Sequence, residues 1–176
     1  MPCKTFSDGM IYRFISHPLA CVLIEGWDKA DEVSIVSVSF CGEKETVALP
    51  ELLPSEKMDF WAQNIRGFLD GKIVRFPYIP LQISSLTPFQ RQVLYAARTV
   101  RWGSTVSYAQ LAQMAGYKTA IRAVASVMSS NPFPLIIPCH RVIRSDGSVG
   151  GFMKQTEGGL VDLKKKLLQR EINTLL

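Results

Sequence analysis

Two copies of one four-residue pattern limit the fold most. Thr87-Pro88-Phe89-Gln90 and Ser107-Tyr108-Ala109-Gln110 each place a hydroxyl residue three positions before a glutamine. That is a capping box. The hydroxyl accepts a bond from the third helical N–H, and the glutamine side chain reaches back to the cap's own N–H. Pro88 suits the first helical position, where an N–H would have no partner anyway. Each pattern therefore opens a helix. After the first, Phe89, Val93, Ala97 and Val100 lie on one stripe. The second helix is short, running to about Ala115, and Gly116 ends it. Thr119 is expected to cap a third helix through Met128, with Val124, Val127 and Met128 facing inward. Two short helices joined by a tight glycine-containing turn make a helix-turn-helix.

Pro132, Pro134 and Pro138 then rule out a long helix. Leu135–Ile137 is a short buried run leading to Cys139, and Ser145-Asp146-Gly147 is a turn. Gly150-Gly151 and Gly158-Gly159 bracket a loop. Leu163, Leu167 and Leu168 make the inner face of a last helix, with Lys164–Lys166 expected on its outer face.

The first half has a different texture. Met10–Ile15, Leu19–Glu25 and Val33–Phe40 are rich in β-branched and aromatic residues, with turn residues between them. Pro54 is placed to open a helix. Trp61, Ile65 and Phe68 follow at i, i+4, i+7, and Gly71 closes it. Ile73–Phe76 reads as one more strand, and Pro77, Pro80 and the polar stretch to Ser85 as a linker. The fold expected is α/β (α+β) with two domains. Residues 1–86 form a small sheet with a helix, and residues 87–176 form a mainly helical unit. A chain of 176 residues has room for two such cores.

Charge divides along the same line. Residues 1–86 carry 8 Lys/Arg against 11 Asp/Glu, whereas residues 87–176 carry 12 against 4. A basic half that holds a helix-turn-helix points to a polyanion such as nucleic acid. The longest purely apolar run, Leu19–Ile24, is too short to cross a bilayer. The N-terminus lacks the plan of a secretory signal. A soluble intracellular protein with no membrane partner is expected. No two of the cysteines Cys3, Cys21, Cys41 and Cys139 form a CxxC pair, and with His17 and His140 they match no standard zinc spacing. No metal site is expected. Cys21 and Cys41, in apolar stretches, are expected as buried thiols.

Pro138-Cys139-His140-Arg141-Val142 joins a thiol, an imidazole and a guanidinium. The thiolate is the reactive form of cysteine, and a thiol with a pKa of about 8.5 is mostly protonated at neutral pH. A nearby base or positive charge raises the thiolate fraction. An imidazole can serve directly or through one water. On these residues alone three readings stay open: a nucleophile that accepts a group, a cysteine hydrolase acting on an acyl substrate, and a DNA-binding regulator whose cysteine is structural.

Ile136-Ile137-Pro138-Cys139-His140-Arg141-Val142 resembles the active-site motif of the O6-alkylguanine-DNA alkyltransferases, also called methylated-DNA–protein-cysteine methyltransferases. The resemblance extends over residues 87–171. It includes Thr87-Pro88-Phe89-Gln90-Arg91-Gln92-Val93, Gly103 through Ser107-Tyr108, Arg122-Ala123-Val124, Asn131-Pro132 and Leu167-Leu168-Gln169-Arg170-Glu171. Residues 1–86 fit the family's variable first domain in length and strand content only. The resemblance implies an RNase H-like first domain, a helix-turn-helix, winged-helix-like second domain, no cofactor, and a monomer acting on double-stranded DNA.

It also implies a reaction. Cys139 would take the alkyl group from O6 of a damaged guanine after the nucleotide is flipped out of the stack. The thioether is kept, so each molecule acts once; O4-alkylthymine as a second substrate is left open. His140 would be a water-mediated base, oriented by Glu171. Asn131 would tie the turn before Cys139 to the helix-turn-helix. Tyr108 would help rotate the nucleotide and donate its hydroxyl to N3 of the leaving guanine. Arg122 would fill the gap in the stack, with Gln90, Ser129 and Ser145 as further DNA contacts. Met128, Val142, Val149 and Phe152 would line the alkyl pocket. The helix carrying Arg122 would lie in the minor groove. The chain departs from the family in two places. Gly151–Glu157 holds a few inserted residues before Gly158-Gly159-Leu160, with Phe152 where a tyrosine is common. Ala125-Ser126 stands where glycines are frequent.

Overall fold

The computed structural model describes residues 10–29, 32–41, 56–74, 76 and 81–175. The three strand-forming stretches become β1 (Met10–Ile15), β2 (Cys21–Lys29) and β3 (Glu32–Cys41). They pair antiparallel in the order β1-β2-β3, with a bulge between Glu25 and Gly26. The second strand starts later and runs further than the expected Leu19–Glu25. Alternation sorts the sheet's faces. Val22, Ile24, Val33, Ile35 and Val38 are buried, while Cys21, Leu23, Ser39 and Cys41 are only half-buried. The expectation of buried thiols at Cys21 and Cys41 is thus corrected: both sit on the outer face. Helix α1 (Glu56–Leu69) packs against β1 and buries Met58, Trp61, Ile65 and Phe68.

Ile73, Val74 and Phe76 form no strand, contrary to expectation. The pairing occurs slightly later, where Leu81 bridges Ile35 in parallel and Gln82 N–H donates to the Ile35 carbonyl at 2.8 Å. Cys3, Pro54, Pro77 and Pro80, singled out above, lie outside the described residues.

Both capping boxes form. Thr87 caps α2 (Pro88–Arg98), and Ser107 caps α3 (Tyr108–Met114). Gly116 takes φ +82°, the left-handed turn that ends α3. The next helix, α4 (Ile121–Ser129), starts one residue later than expected and is not capped by Thr119. Ala120 is at the cap position and makes no side-chain bond there. The chain is still turning at that point, since Ala120 N–H donates to the Tyr117 carbonyl at 2.9 Å. Val124, Val127 and Met128 do face inward. Two short strands, β4 (Val106–Ser107) and β5 (Val142–Ile143), pair in parallel and join the helix-turn-helix to the segment after Cys139.

Helix α5 (Gly159–Asn173) closes the chain. Lys164 does not lie on its outer face: it is fully buried, together with Val161, Leu163, Leu167 and Glu171. The end of α5 bonds to the end of α1: Arg170 donates to the Leu69 carbonyl, and the Thr174 hydroxyl donates to the Gly71 carbonyl at 2.9 Å. On the other side Val38 N–H donates to the Pro132 carbonyl at 2.8 Å. Among the described residues, buried apolar side chains from both halves form one continuous cluster. The segment carrying Cys139 is therefore clamped between the sheet, α1 and α5. No described helix is long and apolar enough to cross a membrane.

Candidate functional site

The prolines deliver Cys139 by preventing a helix. Leu135 is forced to φ +71°, a left-handed conformation that strains a branched side chain by roughly 1–2 kcal/mol. Asn131, itself buried, holds the turn in place. Its amide Nδ2 donates to the Ile137 carbonyl at 2.9 Å, and its Oδ1 accepts from Phe133 N–H at 3.0 Å. Cys139-His140-Arg141 then form one 3₁₀ turn, all three buried, before β5 begins.

Glu171, in the last turns of α5, is the hub behind this turn. Its Oε1 accepts from His140 Nε2 at 2.7 Å, and the Arg141 guanidinium bonds both carboxylate oxygens at 2.9–3.0 Å. Gly103 N–H donates to Oε2 at 2.9 Å. Arg141 also donates to the Val100 carbonyl at 2.7 Å and sits 5.6 Å from the centroid of the Trp102 ring. Phe68 of α1 packs edge-on against the His140 ring at 5.5 Å. Burial alone would raise the Glu171 carboxyl, but the His140 hydrogen bond, followed by the bonds and charge of Arg141, brings it below its ordinary value. Glu171 is thus a buried anion. An anion accepts, so His140 donates from Nε2 and Nδ1 keeps its lone pair. Nδ1 is buried and makes no hydrogen bond among the described residues. Burial also lowers the histidine pKa, against the pull of Glu171, which keeps the ring neutral.

Cys139 is 3% exposed. Burial pushes its thiol up, while the Asn131 bond and the Lys164 charge pull it down. Lys164 reaches across from α5: its ammonium donates to the Val142 carbonyl at 2.6 Å and to the Gly151 carbonyl at 3.2 Å. It lies 6.0 Å from the centroid of the Tyr108 ring. Burial lowers its pKa to about 8.

A cavity of about 330 Å³ opens onto Cys139. Tyr108, Ala125, Met128, Ser129, Arg144 and Phe152 are among its walls. Of the expected pocket residues, Met128 and Phe152 line it; Val142 and Val149 do not. Val142 is buried and offers its carbonyl to Lys164. Burial, followed by the nearby Cys139, raises the Tyr108 hydroxyl's pKa, so it remains a donor. Arg122 is exposed in the first turn of α4. It precedes Ala125 by three residues and Ser129 by seven, so all three share one face of α4. Gln90 bonds its own cap, and Ser145 is exposed in the turn beyond β5.

The inserted residues form a tight hairpin over the cavity. Phe152 and Gln155 exchange backbone bonds at 2.8 and 2.9 Å around Met153 and Lys154, at φ +48° and +67°. Two left-handed central residues define a type I′ turn, which usually takes Asn-Gly. Gly151 must be glycine, because a Cβ there would meet the Gln155 carbonyl oxygen at 2.8 Å.

Sequence reasoning missed three supports of this site. Phe68 and Trp102 act from distant positions and carry no local signal. Lys164 had one: it stands three residues before Leu167 and seven before Glu171, on the inward stripe.

The profile described as "6-O-methylguanine DNA methyltransferase, DNA binding domain" matches residues 88–173. A methylated-DNA–protein-cysteine methyltransferase of Methanothermobacter thermautotrophicus is 47% identical over 108 residues, which are 61% of this chain and 57% of that relative. The chain thus spans little more than half of that relative's length. A protein of the same name from Kluyveromyces lactis is 30% identical over 92% of this chain and 96% of its own. The solved structure of Mycobacterium tuberculosis OGT in complex with DNA superposes with a TM-score of 0.72 at 25% identity, covering 93% of each chain.

Proposed function

We propose that this chain, which belongs to the methylated-DNA–protein-cysteine methyltransferase family, repairs O6-alkylguanine in double-stranded DNA by irreversible transfer of the alkyl group to Cys139. The observation that carries the proposal is the arrangement around the thiol. Cys139 faces a cavity, and behind it a neutral histidine is locked by Glu171 with its Nδ1 lone pair unused. The relatives' names and the DNA complex of the M. tuberculosis protein agree with that chemistry.

The steps follow from the groups present. A raised thiol must lose its proton to act, and His140 Nδ1 takes it through one water. The sulfur attacks the alkyl carbon, the carbon–O6 bond breaks, and its electron pair stays with the guanine. Tyr108 donates its hydroxyl proton to N3 of the leaving base, and the proton on His140 makes good that loss. In sum the thiol hydrogen is exchanged for the alkyl group. The thioether has no route back, so the protein acts once. The guanine must leave the stack to reach a cavity this narrow, at a cost of a few kcal/mol. Arg122, on the α4 face that continues into the cavity wall, takes the vacated place; the small side chains of α4 let it approach the minor groove. Sequence-independent phosphate contacts from the basic half make binding salt-sensitive.

The same reading makes residues 1–86 an RNase H-like domain that backs the site and residues 87–176 a winged-helix-like domain that acts as a monomer. The test is the intact mass of the protein after mixing with duplex carrying one O6-methylguanine, followed by peptide mapping. One CH₂ on the Cys139 peptide, saturating at one per molecule, is expected. Lesion binding without mass gain, or repeated turnover of an ester, overturns the proposal. An O4-alkylthymine duplex in the same assay defines the substrate range.

A further inference from the structure

We infer that Cys21 and Cys41 form a second thiol site, separate from Cys139, which a peroxide converts into a cross-strand disulfide. The two residues stand directly opposite each other in the β2–β3 ladder. Opposed residues of an antiparallel pair have Cα atoms about 4.5–5.5 Å apart, inside the roughly 4.4–6.8 Å that a disulfide accepts. Their side chains share the outer face, with Leu23 and Ser39 next along and Glu25 and Ser37 after those. Opposed side chains on this face do reach each other, since the Ser37 hydroxyl donates to Glu25. Cys21 and Cys41 are half-buried, so a small oxidant has access to them while their neighbours hold them in place.

The chemistry closes without another reagent. One thiolate attacks an oxygen of hydrogen peroxide, the O–O bond breaks, and a sulfenic acid and water result. The second thiolate attacks that sulfur and expels hydroxide, which leaves as a second water. Two thiols and one peroxide give one disulfide and two waters. The location links the pair to the alkyl cavity. Phe40, beside Cys41, packs on the cavity residue Phe152 with ring centroids 5.8 Å apart. Two residues further back, Val38 bonds the Pro132 carbonyl next to Asn131. Closing the pair fixes the end of β3 that backs the site.

The experiment uses the whole reduced chain. It is exposed to one equivalent of hydrogen peroxide, its remaining thiols are blocked with iodoacetamide, and its peptides are mapped without reduction. Expected are a loss of about 2 Da and a Cys21–Cys41 linked peptide, with Cys139 recovered as a blocked thiol. The linked chain should melt roughly 5–10 °C higher than the reduced one. Cys41→Ser and, separately, Cys21→Ser should abolish the link; the wild-type map decides alone if neither variant folds. Separate oxidation of the two sulfurs, or a link that involves Cys139 or Cys3, overturns the assignment. A linked chain that melts no higher overturns the fixing of β3.

Discussion

Replacing Lys164 with methionine isolates what a buried ammonium does to this fold. The side chain is fully buried, and burial moves its pKa from 10.5 to about 8. At 1.36 kcal/mol per pH unit, that gap corresponds to about 3 kcal/mol of destabilisation while the group is charged. Methionine removes this cost but leaves the Val142 and Gly151 carbonyls without their donor, at about 1–3 kcal/mol each. At pH 7 the two effects oppose each other, so Lys164→Met should change stability by no more than about 3 kcal/mol. The sign with pH is more telling. Between pH 8 and 10.5 the unfolded chain keeps the lysine proton and the folded chain has lost it. Unfolding then takes up a proton, so the lysine chain gains stability as pH rises. Urea unfolding of both chains, each carrying Cys139→Ser, reads this directly. The serine also removes the Cys139 charge that holds the lysine pKa up, so the effect is not reduced. The lysine chain should gain about 3 kcal/mol on its methionine counterpart between pH 7 and 10.5. A difference that stays flat across that range refutes the burial argument.

Other consequences follow from single contacts. Glu171→Gln leaves the Arg141 guanidinium buried without its counter-charge, and urea unfolding should show a loss of about 3–5 kcal/mol. Because the Glu171 carboxyl is held below its ordinary 4.5, its stabilisation is complete above pH 4.5 and fades as pH falls through the folded value. The variant's acid unfolding curve should lack that limb. Changing Met153 to Asn and Lys154 to Gly suits both left-handed positions, and should raise stability by about 1–2 kcal/mol without loss of alkyl transfer. Arg122→Ala should slow transfer from duplex at least about tenfold, yet leave reaction with the free base O6-benzylguanine unchanged; equal slowing of both places Arg122 elsewhere in the mechanism.

The helix-turn-helix was legible because capping boxes are local chemistry. Thr87 and Ser107 form the bonds their spacing demands, whatever packs around them. Thr119 had only a general preference behind it, and the turn closing at Ala120 overrode that preference. Lys164 was misread because three adjacent lysines look like a solvated face, although helical phase places the first of them with Leu167 and Glu171. The hairpin at Met153-Lys154 has no signal at all. Neither residue prefers a positive φ, so packing of Phe152 and the approach of Gly151 to Gln155 set it. His140, Glu171 and Asn131 were placed by the family motif, whereas Trp102 and Phe68 meet them only through long-range folding.

Charge accounting explains why a lysine is hidden beside a thiol that burial keeps protonated. With Cys139 and His140 neutral, the buried groups at the site are the Glu171 anion and the Arg141 and Lys164 cations. Arg141 and Glu171 neutralise each other at 2.9 Å, which leaves the ammonium as the excess charge. Ionising Cys139 balances it. Burial therefore works against the thiolate, and Lys164 works for it. Lys164→Met should raise the thiol pKa and shift the alkaline rise of the single-turnover rate to higher pH. At pH 7 the rate should fall, because a smaller fraction of the thiol is ionised without the Lys164 charge. At pH values above the shifted midpoint the two chains should converge, because both thiols are then ionised. A rate that drops by the same factor at every pH would show that Lys164 positions the Val142–Gly151 backbone rather than supporting the thiolate.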